Sequence, residues 1–295
     1  MNIDILHGDC IETLQKLDDK SINTCITSPP YWGLRNYNDE EKQLGLEDTP
    51  EKFVNNLVKV FREVKRVLRD DGTVWLNLGD SYMGGGGGNY NKTGISQAGG
   101  QHLTNVRNRK DFIKKSGVKA KDLVGIPFRV ALALQQDGWY LRQDIIWHKP
   151  NPMPESVKDR CTKAHEYIFL LSKNQKYYFD NEAIKEDCIT KSKQTNKKNK
   201  RSVWTVPTKP FKEAHFATFP MDLIEPCVLA GCPEGGTVLD PFGGSGTTGI
   251  VAVNHNRNAV LCELNQEYIE IAKNRINEQA GFYADTKIKK INNNI

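Results

Sequence analysis

The sequence lacks several features that would set it apart from ordinary globular proteins. No apolar run approaches the roughly 18 residues that a membrane-spanning helix needs. The first residues, Met1–Leu6, have neither the basic start nor the long apolar core of a secretory signal peptide. The seven cysteines are odd in number and include no Cys-x-x-Cys pair, so neither a disulfide framework nor a zinc site is predicted. We therefore expect a cytoplasmic protein with reduced, mostly buried cysteines and no bound metal.

Composition and charge favour a single globular unit. Hydrophobic residues make up 38% and charged residues 26% of the 295 residues, as in ordinary soluble domains. At this length we expect one large α/β domain with insertions rather than two independent domains. The net charge of +5 is a small excess, so the positions of the basic residues matter more than their total.

A glycine-rich turn near the C-terminal end organises the chain. Residues Asp240–Thr248 read Asp-Pro-Phe-Gly-Gly-Ser-Gly-Thr-Thr; they follow the apolar run Thr237–Leu239 and precede a predicted helix. A turn in this context holds nucleotide-like ligands, because glycines admit a close backbone approach and the helix start offers free N–H groups. Glu263 ends the next apolar run, about 20 residues further on, where a ribose-binding carboxylate is expected.

A second motif lies far upstream, where Thr27–Trp32 reads Thr-Ser-Pro-Pro-Tyr-Trp at the end of a predicted strand. Two prolines stiffen this loop and leave its carbonyl groups free to accept hydrogen bonds. The Pro29 carbonyl and the Ser28 hydroxyl can then accept hydrogen bonds from a ligand, and Tyr31 offers a flat face for stacking. Taken alone, the segment is also compatible with a simple Pro-Pro turn.

Together the two motifs resemble those of the DNA amino-methyltransferases. Asp240–Thr248 is similar to the S-adenosylmethionine-binding motif of that family. Ser28–Tyr31 is similar to its catalytic tetrapeptide, in which Ser, Asn or Asp is followed by Pro-Pro and an aromatic residue. The order of the motifs, catalytic first and cofactor last, resembles the β-class arrangement. The resemblance extends from about His7 to about Ile276.

The resemblance implies a function for individual residues. The catalytic residues are expected to be Ser28, Pro29, Pro30 and Tyr31. The S-adenosylmethionine pocket is expected to include Asp9, Phe216, Thr218, Pro220, Asp240, Phe242, Gly243, Gly244, Ser245, Gly246, Thr248 and Glu263. Plainer interpretations are a turn aspartate at Asp9 and helix-start packing at 216–220, and Asp80 is expected either to face the pocket or to cap a strand end. In this family Ser at the first motif position goes mostly with cytosine-N4 methylation, so Ser28 favours cytosine over adenine N6.

Two polar, basic stretches interrupt the alternating pattern of elements. Residues 84–121 begin with a glycine run, and residues 185–204 carry six positive charges over Lys191–Arg201 with no carboxylate among them. Neither stretch has enough apolar residues to fold alone, so both are expected to be mobile insertions that contact DNA. The candidate DNA-binding residues are Lys191, Lys193, Lys197, Lys198, Lys200, Arg201 and Trp204. A solvated flexible loop is the alternative interpretation of such a charge run.

Strands and helices alternate along the chain, which predicts an α/β fold with a doubly wound, mostly parallel sheet. The resemblance implies the seven-stranded, Rossmann-like sheet of the S-adenosylmethionine-dependent methyltransferases. It also implies a circular permutation, in which the first strand, Ile3–His7, lies beside the strand that ends at Glu263. Residues 1–295 are expected to form a single methyltransferase domain.

The sequence thus predicts a site-specific methyltransferase that acts on the N4 amino group of a cytosine flipped out of double-stranded DNA. Adenine N6 is the main alternative target. Methylation of RNA or of a protein amide, and a non-catalytic DNA-binding module with a relic cofactor fold, are further alternatives. The complete set of motif residues argues against a relic. The sequence leaves open whether a cognate restriction endonuclease exists, and whether the protein is a monomer or a homodimer.

Overall fold

The computed structural model describes residues 1–33, 43–84, 95–96, 109–188, 196–209 and 219–290. The elements in chain order are β1 (Asn2–His7), α1 (Cys10–Leu14), β2 (Ile22–Thr27), α2 (Pro50–Val67), β3 (Leu68–Leu78), β4 (Tyr82–Met83), β5 (Ile95–Ser96), α3 (Arg109–Ser116), α4 (Ile126–Gln136), β6 (Tyr140–His148), β7 (His165–Ser172), β8 (Glu186–Asp187), β9 (Lys197–Lys198), β10 (Val203–Thr205), α5 (Met221–Gly231), β11 (Thr237–Asp240), α6 (Thr247–Asn254), β12 (Asn258–Glu263), α7 (Gln266–Ala280) and β13 (Asp285–Lys290).

The main sheet has nine strands in the order β10-β6-β7-β3-β2-β11-β12-β1-β13. Neighbouring strands are parallel, except that β7 runs antiparallel to both β3 and β6. The predicted mostly parallel sheet is confirmed, but the predicted count of seven strands is too low. The two additional strands, β10 and β13, lie at the edges. There a short or polar segment can be held by backbone hydrogen bonds to one neighbour, without the apolar pattern that identifies a central strand.

Helices cover both faces of the sheet, as a doubly wound fold requires. On one face, buried residues of α1, α2 and α4 form one hydrophobic core, and on the other α5, α6 and α7 form a second. Helix α2 begins at Thr49, whose side chain accepts the Lys52 N–H, and it buries Phe53, Leu57 and Phe61 at helical spacing. Burial of each such side chain contributes about 1.5–3 kcal/mol. Among the described residues no helix is both long and apolar enough to cross a membrane.

The circular permutation is confirmed by the pairing of the first strand. Strand β1 lies parallel to β12 in a register that sets His7 opposite Glu263, and the Gly8 N–H donates to the Glu263 carbonyl over 3.0 Å. Strands β2, β11, β12 and β1 are therefore consecutive and parallel, and their carboxyl ends meet at one edge of the sheet. Ligands of open α/β sheets bind at this edge.

The two basic stretches contain more ordered structure than the sequence predicts. Within 84–121, helix α3 forms, Val118 is buried, and Lys121 and Asp122 return to pair with the backbone of Met83. Within 185–204, β8 and β9 form a two-stranded hairpin and β10 joins the main sheet beside β6. The described parts of both stretches therefore contain ordered elements, where the sequence predicted mobile insertions. Residues 85–94, 97–108 and 189–195 lie outside the described parts.

Candidate active site

The Ser-Pro-Pro-Tyr loop leaves the carboxyl end of β2. Pro29 is buried, whereas Ser28, Pro30 and Tyr31 are half-buried. The loop is anchored where it ends, because the buried Trp32 donates through Nε1 to the Glu47 carbonyl over 2.7 Å. The stiff prolines and this anchor hold the half-buried residues at the edge of the sheet where the glycine-rich turn also begins.

Tyr31 is fixed by contacts with two neighbouring strands. Its hydroxyl donates to Glu166 Oε2 on β7 over 2.7 Å and lies 3.4 Å from Asn77 Oδ1 on β3. At Gly79 a Cβ atom would come within 2.6 Å of the Tyr31 ring, so a larger residue cannot occupy that position without displacing the ring. The sequence did not indicate Glu166 or Asn77. The one available signal was polar residues within two otherwise apolar strands.

Asp240 joins the catalytic loop to the glycine-rich turn. This carboxylate is 2% exposed and accepts hydrogen bonds from Thr27 Oγ1 over 2.6 Å, Thr248 Oγ1 over 2.7 Å and the Phe242 N–H over 3.1 Å. Burial raises the pKa of Asp240 to about 6. Both carboxylate oxygens are engaged within the protein. This geometry therefore favours a role for Asp240 in supporting the two loops over the predicted direct contact with the cofactor.

Glu263 lies at the end of β12, beside the glycine-rich turn. Its Oε2 accepts the Gly244 N–H over 2.8 Å and its Oε1 accepts the Asn265 N–H over 2.9 Å. Burial raises the pKa of Glu263, and these two backbone donors oppose the shift. A carboxylate has about four lone-pair sites, so each oxygen retains acceptor capacity for a ribose hydroxyl.

Asp9 follows β1 at the same edge of the sheet. Its Oδ1 accepts the N–H groups of Ile11 and Glu12 over 2.9 and 3.1 Å, so Asp9 is the N-cap of α1. The plainer interpretation of Asp9 as a turn residue thus has a definite structural basis. Its position two residues beyond His7, the partner of Glu263 in the sheet, also keeps it next to the expected pocket.

The glycines of the turn serve different purposes. A Cβ atom at Gly243 would lie 2.9 Å from Leu261 Cβ, and one at Gly246 would lie 2.9 Å from Ala272 Cβ. Both glycines therefore allow close packing against β12 and α7 rather than close approach of a ligand. Gly244 differs, because its φ is +49° and the nearest atom to an added Cβ is 3.8 Å away. Of these three glycines, only Gly244 has open space beside it.

Arg275 on α7 binds the glycine-rich turn through hydrogen bonds. Its guanidinium donates to the Ser245 carbonyl over 2.5 Å and to Ser245 Oγ over 2.6 Å, and it lies 3.3 Å from Thr247 Oγ1. Ser245 is 1% exposed. A contact between the Ser245 side chain and a cofactor is therefore not favoured, and the place of Ser245 in the cofactor pocket stays a prediction. Sequence reasoning missed Arg275, since a single basic residue in an amphipathic helix carries no local signal.

The remaining predicted pocket residues fall into three groups. Pro220 is buried at the N-cap of α5, Phe242 packs against the first hydrophobic core, and Thr248 is buried at the start of α6. Asp80 accepts the N–H groups of Ser81, Gly125 and Ile126, so it caps the start of α4. Phe216 and Thr218 lie outside the described residues. No group of three or more potential metal-ligating side chains occurs in the described ranges.

The candidate DNA-binding residues differ in their surroundings. Lys197, Lys198, Lys200 and Arg201 lie on or beside the β8–β9 hairpin, and Lys191 and Lys193 lie outside the described residues. Arg201 Nε and Lys198 Nζ approach Glu186 Oε1 at 2.5 and 3.6 Å, which offsets part of their charge. The predicted role of Trp204 is not supported, because Trp204 is 6% exposed and its Nε1 donates to the Arg201 carbonyl. A buried indole of this kind packs in the core and cannot stack on a base.

The fold and the two loops define a Rossmann-like α/β protein whose glycine-rich turn, at the carboxyl edge of the sheet, suits a nucleoside-containing ligand. The sequence matches the DNA methylase family over residues 22–274. It is also 50% identical over 272 residues to the Type II methyltransferase M.Cfr9I of Citrobacter freundii, with 92% of this chain and 87% of that protein covered. It is 49% identical over 272 residues to the Type II methyltransferase M.SmaI of Serratia marcescens, with 92% and 90% covered. The chain belongs to the DNA methylase family.

Solved structures support the same fold. The PvuII DNA methyltransferase (cytosine-N4-specific) superposes with a TM-score of 0.67 at 20% identity, covering 98% of this chain and 95% of that one. A DNA modification methylase of Thermus thermophilus, solved with S-adenosyl-L-methionine, superposes with a TM-score of 0.62 at 23% identity, covering 96% and 99%. S-adenosylmethionine is the methyl donor of the family, as the resemblance of the glycine-rich turn to that family's motif implied.

Proposed function

We propose that this protein is a Type II, sequence-specific DNA methyltransferase that methylates the N4 amino group of cytosine. The observation that carries the proposal is the hydrogen bond between Thr27 and Asp240, which joins the Ser-Pro-Pro-Tyr loop to the glycine-rich turn across adjacent parallel strands. Methyl transfer needs the acceptor nitrogen and the methyl group held in line, and two loops fixed to each other provide that alignment. Similarity to relatives named as Type II methyltransferases supports site-specific action on DNA.

The residues of the loop act on the target amino group. The exocyclic amine is a poor nucleophile, because its lone pair is delocalised into the ring. Ser28 Oγ and the Pro29 carbonyl accept its two hydrogens, which favours a tetrahedral nitrogen whose lone pair points at the methyl group. S-adenosylmethionine supplies that methyl group on a positively charged sulfur. Ser28 and Pro29 would hold the nitrogen toward that methyl group, the C–S bond electrons would stay with the departing thioether, and the proton lost by the amine would pass to solvent.

The target base must leave the duplex to reach this loop, since its amino group is paired inside the helix. Tyr31 is half-buried beside Ser28 and Pro29, where its ring can stack on the extruded base, a contact worth about 1–3 kcal/mol in comparable sites. Asp9, Gly244 and Glu263 are the residues best placed to bind the nucleoside part of the cofactor.

Cytosine is favoured over adenine by the first residue of the motif. Ser28 matches the residue that goes mostly with cytosine-N4 methylation in the family that the loop resembles. Adenine N6 is the second candidate, since the same loop chemistry serves either amine.

The proposal is tested by incubating the protein with plasmid DNA and methyl-labelled S-adenosylmethionine, followed by mass spectrometry of the nucleosides. The expected product is N4-methyl-2′-deoxycytidine. Ser28→Ala is the matched control, because it removes one acceptor and keeps both prolines, and it should slow the reaction about tenfold or more. N6-methyl-2′-deoxyadenosine would establish the adenine alternative. A label found only in RNA or protein, or no label at all, would refute DNA methylation by this chain.

A further inference from the structure

The Tyr31 ring is held by a charged pair that the two motifs do not include. Glu166 Oε2 accepts the Tyr31 hydroxyl over 2.7 Å, and Glu166 Oε1 forms an ion pair with Lys149. Asn77 Nδ2 donates to the same Glu166 Oε2 over 3.3 Å and to the Tyr167 carbonyl over 3.1 Å. Strands β3, β6 and β7 thus each contribute a side chain, directly or at the strand end, to one network that ends on the phenol.

The pair itself is mostly removed from water. The Lys149 and Glu166 side chains are 19% and 15% exposed, and Lys149 Nζ lies 4.2 Å from the centre of the Trp147 ring. Taking two charges out of water is costly, and a hydrophobic pair of similar size would often be as stable. The pair is therefore weak as a stabilising device, and its geometry points to a different use. It presents a fixed acceptor to the Tyr31 hydroxyl.

We propose that Glu166, oriented by Lys149, is a positioning residue that sets the plane of the Tyr31 ring for stacking on the extruded base. This assignment rests on the proposed methyltransferase function. Without Glu166, the phenol loses its shorter hydrogen bond and keeps the longer contact to Asn77 Oδ1 at 3.4 Å, so the orientation of the ring is less restricted. Part of the free energy of binding the base would then be spent on ordering the ring. Without Lys149, a mostly buried carboxylate would lack its counter-charge.

A positioning role and a purely structural role for Glu166 predict different results when Glu166 and the Tyr31 hydroxyl are removed together. If Glu166 acts through the phenol, removing either partner should abolish the same contribution, and removing both should cost no more than removing one. If Glu166 only stabilises the pairing of the strands, the free-energy cost of removing Glu166 should add to the cost of removing the Tyr31 hydroxyl. Glu155 provides a matched comparison, because it is 16% exposed and pairs with Arg160 over 2.5 Å.

The test is a double-mutant cycle on a duplex that carries the target site mapped in plasmid DNA methylated by the wild-type protein. Tyr31→Phe and Glu166→Ala should each lower kcat/KM for DNA about tenfold, and the double variant should also be about tenfold slower. The Kd for S-adenosylmethionine, measured by calorimetry, should stay within about twofold in all three. Glu155→Ala combined with Tyr31→Phe should show multiplied effects, since the hydrogen-bond partners of Glu155 among the described residues are Arg160 and the Lys163 N–H.

A conservative variant keeps the test decisive if Glu166→Ala fails to fold. Glu166→Gln retains an oxygen that accepts from the phenol, so it should be more active than Glu166→Ala or Tyr31→Phe. In the Tyr31→Phe background, Glu166→Gln should cause little further loss. A double variant about a hundredfold slower than wild type, or a matching loss of cofactor affinity, would overturn the positioning role and leave the proposed function intact. Absence of methyl transfer by the wild-type protein would overturn the proposed function and this inference together.

Discussion

Thr27 and Asp240 are 213 positions apart in the chain, yet Thr27 Oγ1 donates to Asp240 Oδ1 over 2.6 Å inside the protein. Thr27 immediately precedes Ser28, and Asp240 is the first residue of the glycine-rich turn. The pairing of β2 with β11 places them side by side, with Cys25 opposite Leu239. The loop expected to hold the target base and the turn expected to hold the cofactor are therefore tied by one buried carboxylate.

Removing this tie should affect both loops. Thr27→Val keeps the side-chain shape and deletes the hydroxyl donor to a buried carboxylate, so the free energy of unfolding should fall by about 1–3 kcal/mol. We also expect kcat to fall, because Ser28 loses its fixed spacing from the turn. The measurements are denaturant unfolding and single-turnover methylation.

Thr24→Val is the control for this change. Thr24 is buried on the same strand and bonds to Thr73, on the side away from Asp240, so it lies outside both loops. It should lower stability without lowering kcat. Equal losses of kcat in the two variants would show that strand stability, and not the link to Asp240, sets the rate.

Asp240 should make the stability of the protein depend on pH. Burial raises the pKa of Asp240 to about 6, whereas an aspartate in an unfolded chain titrates near 3.9. Between about pH 4 and pH 6 the folded protein therefore holds a proton that the unfolded chain has released, and the stability due to this group falls as the pH rises. Asp240→Asn removes the titration. The Tm of the variant minus that of wild type should increase from pH 4 to 6 and stay level above. A difference independent of pH would contradict the raised pKa.

The two motifs could be predicted from sequence because their residue types determine local geometry. Prolines stiffen the loop at Pro29 and Pro30, and a glycine at position 244 takes a positive φ with open space beside it. The partners of those motifs could not be predicted. Whether Thr27 faces Asp240, or Glu166 faces Tyr31, depends on which strands are neighbours and in which register, and no local pattern encodes either.

The errors have the same origin. Trp204 follows a basic run, which suggested a role in DNA binding, but the sheet buries it against Trp75 with ring centres 6.4 Å apart. Strand β13 has the polar sequence Asp-Thr-Lys-Ile-Lys-Lys, which carries no apolar strand pattern, yet it pairs with β1 along its whole length. In both cases the tertiary neighbour, and not the segment's own composition, determines the structure.

Glu263 should be required for cofactor affinity. Glu263→Ala removes the carboxylate proposed to bind the ribose hydroxyls and the acceptor that holds the Gly244 N–H. We expect the Kd for S-adenosylmethionine, measured by calorimetry, to rise about tenfold or more. Glu267→Ala, an exposed position in the first turn of α7, is the control and should leave it unchanged. Wild-type affinity in Glu263→Ala would place the ribose elsewhere.

Arg275 should contribute to cofactor affinity without touching the cofactor. Arg275→Met removes the hydrogen bonds to the Ser245 carbonyl and hydroxyl. The glycine-rich turn is then less well ordered in the cofactor-free protein. The Kd for S-adenosylmethionine should rise about tenfold, and Ser245→Ala, which keeps the carbonyl contact, should cause a smaller rise. A larger effect of Ser245→Ala than of Arg275→Met would instead favour direct contact between Ser245 and the cofactor.

The β8–β9 hairpin should determine part of the salt dependence of DNA binding. Lys197 and Lys200 have no ion pair among the described residues, whereas Glu186 offsets Arg201 and Lys198. If the hairpin contacts phosphates, the double variant Lys197→Gln/Lys200→Gln should reduce the magnitude of the slope by about 1–2, where the slope is that of log K for DNA binding against log salt concentration. Glu186→Gln should steepen the same slope, because it releases the charge of Arg201. Lys59→Gln, on the exposed side of α2, is the control. Unchanged slopes in both hairpin variants would mean that the hairpin is a solvated loop that does not meet the DNA backbone.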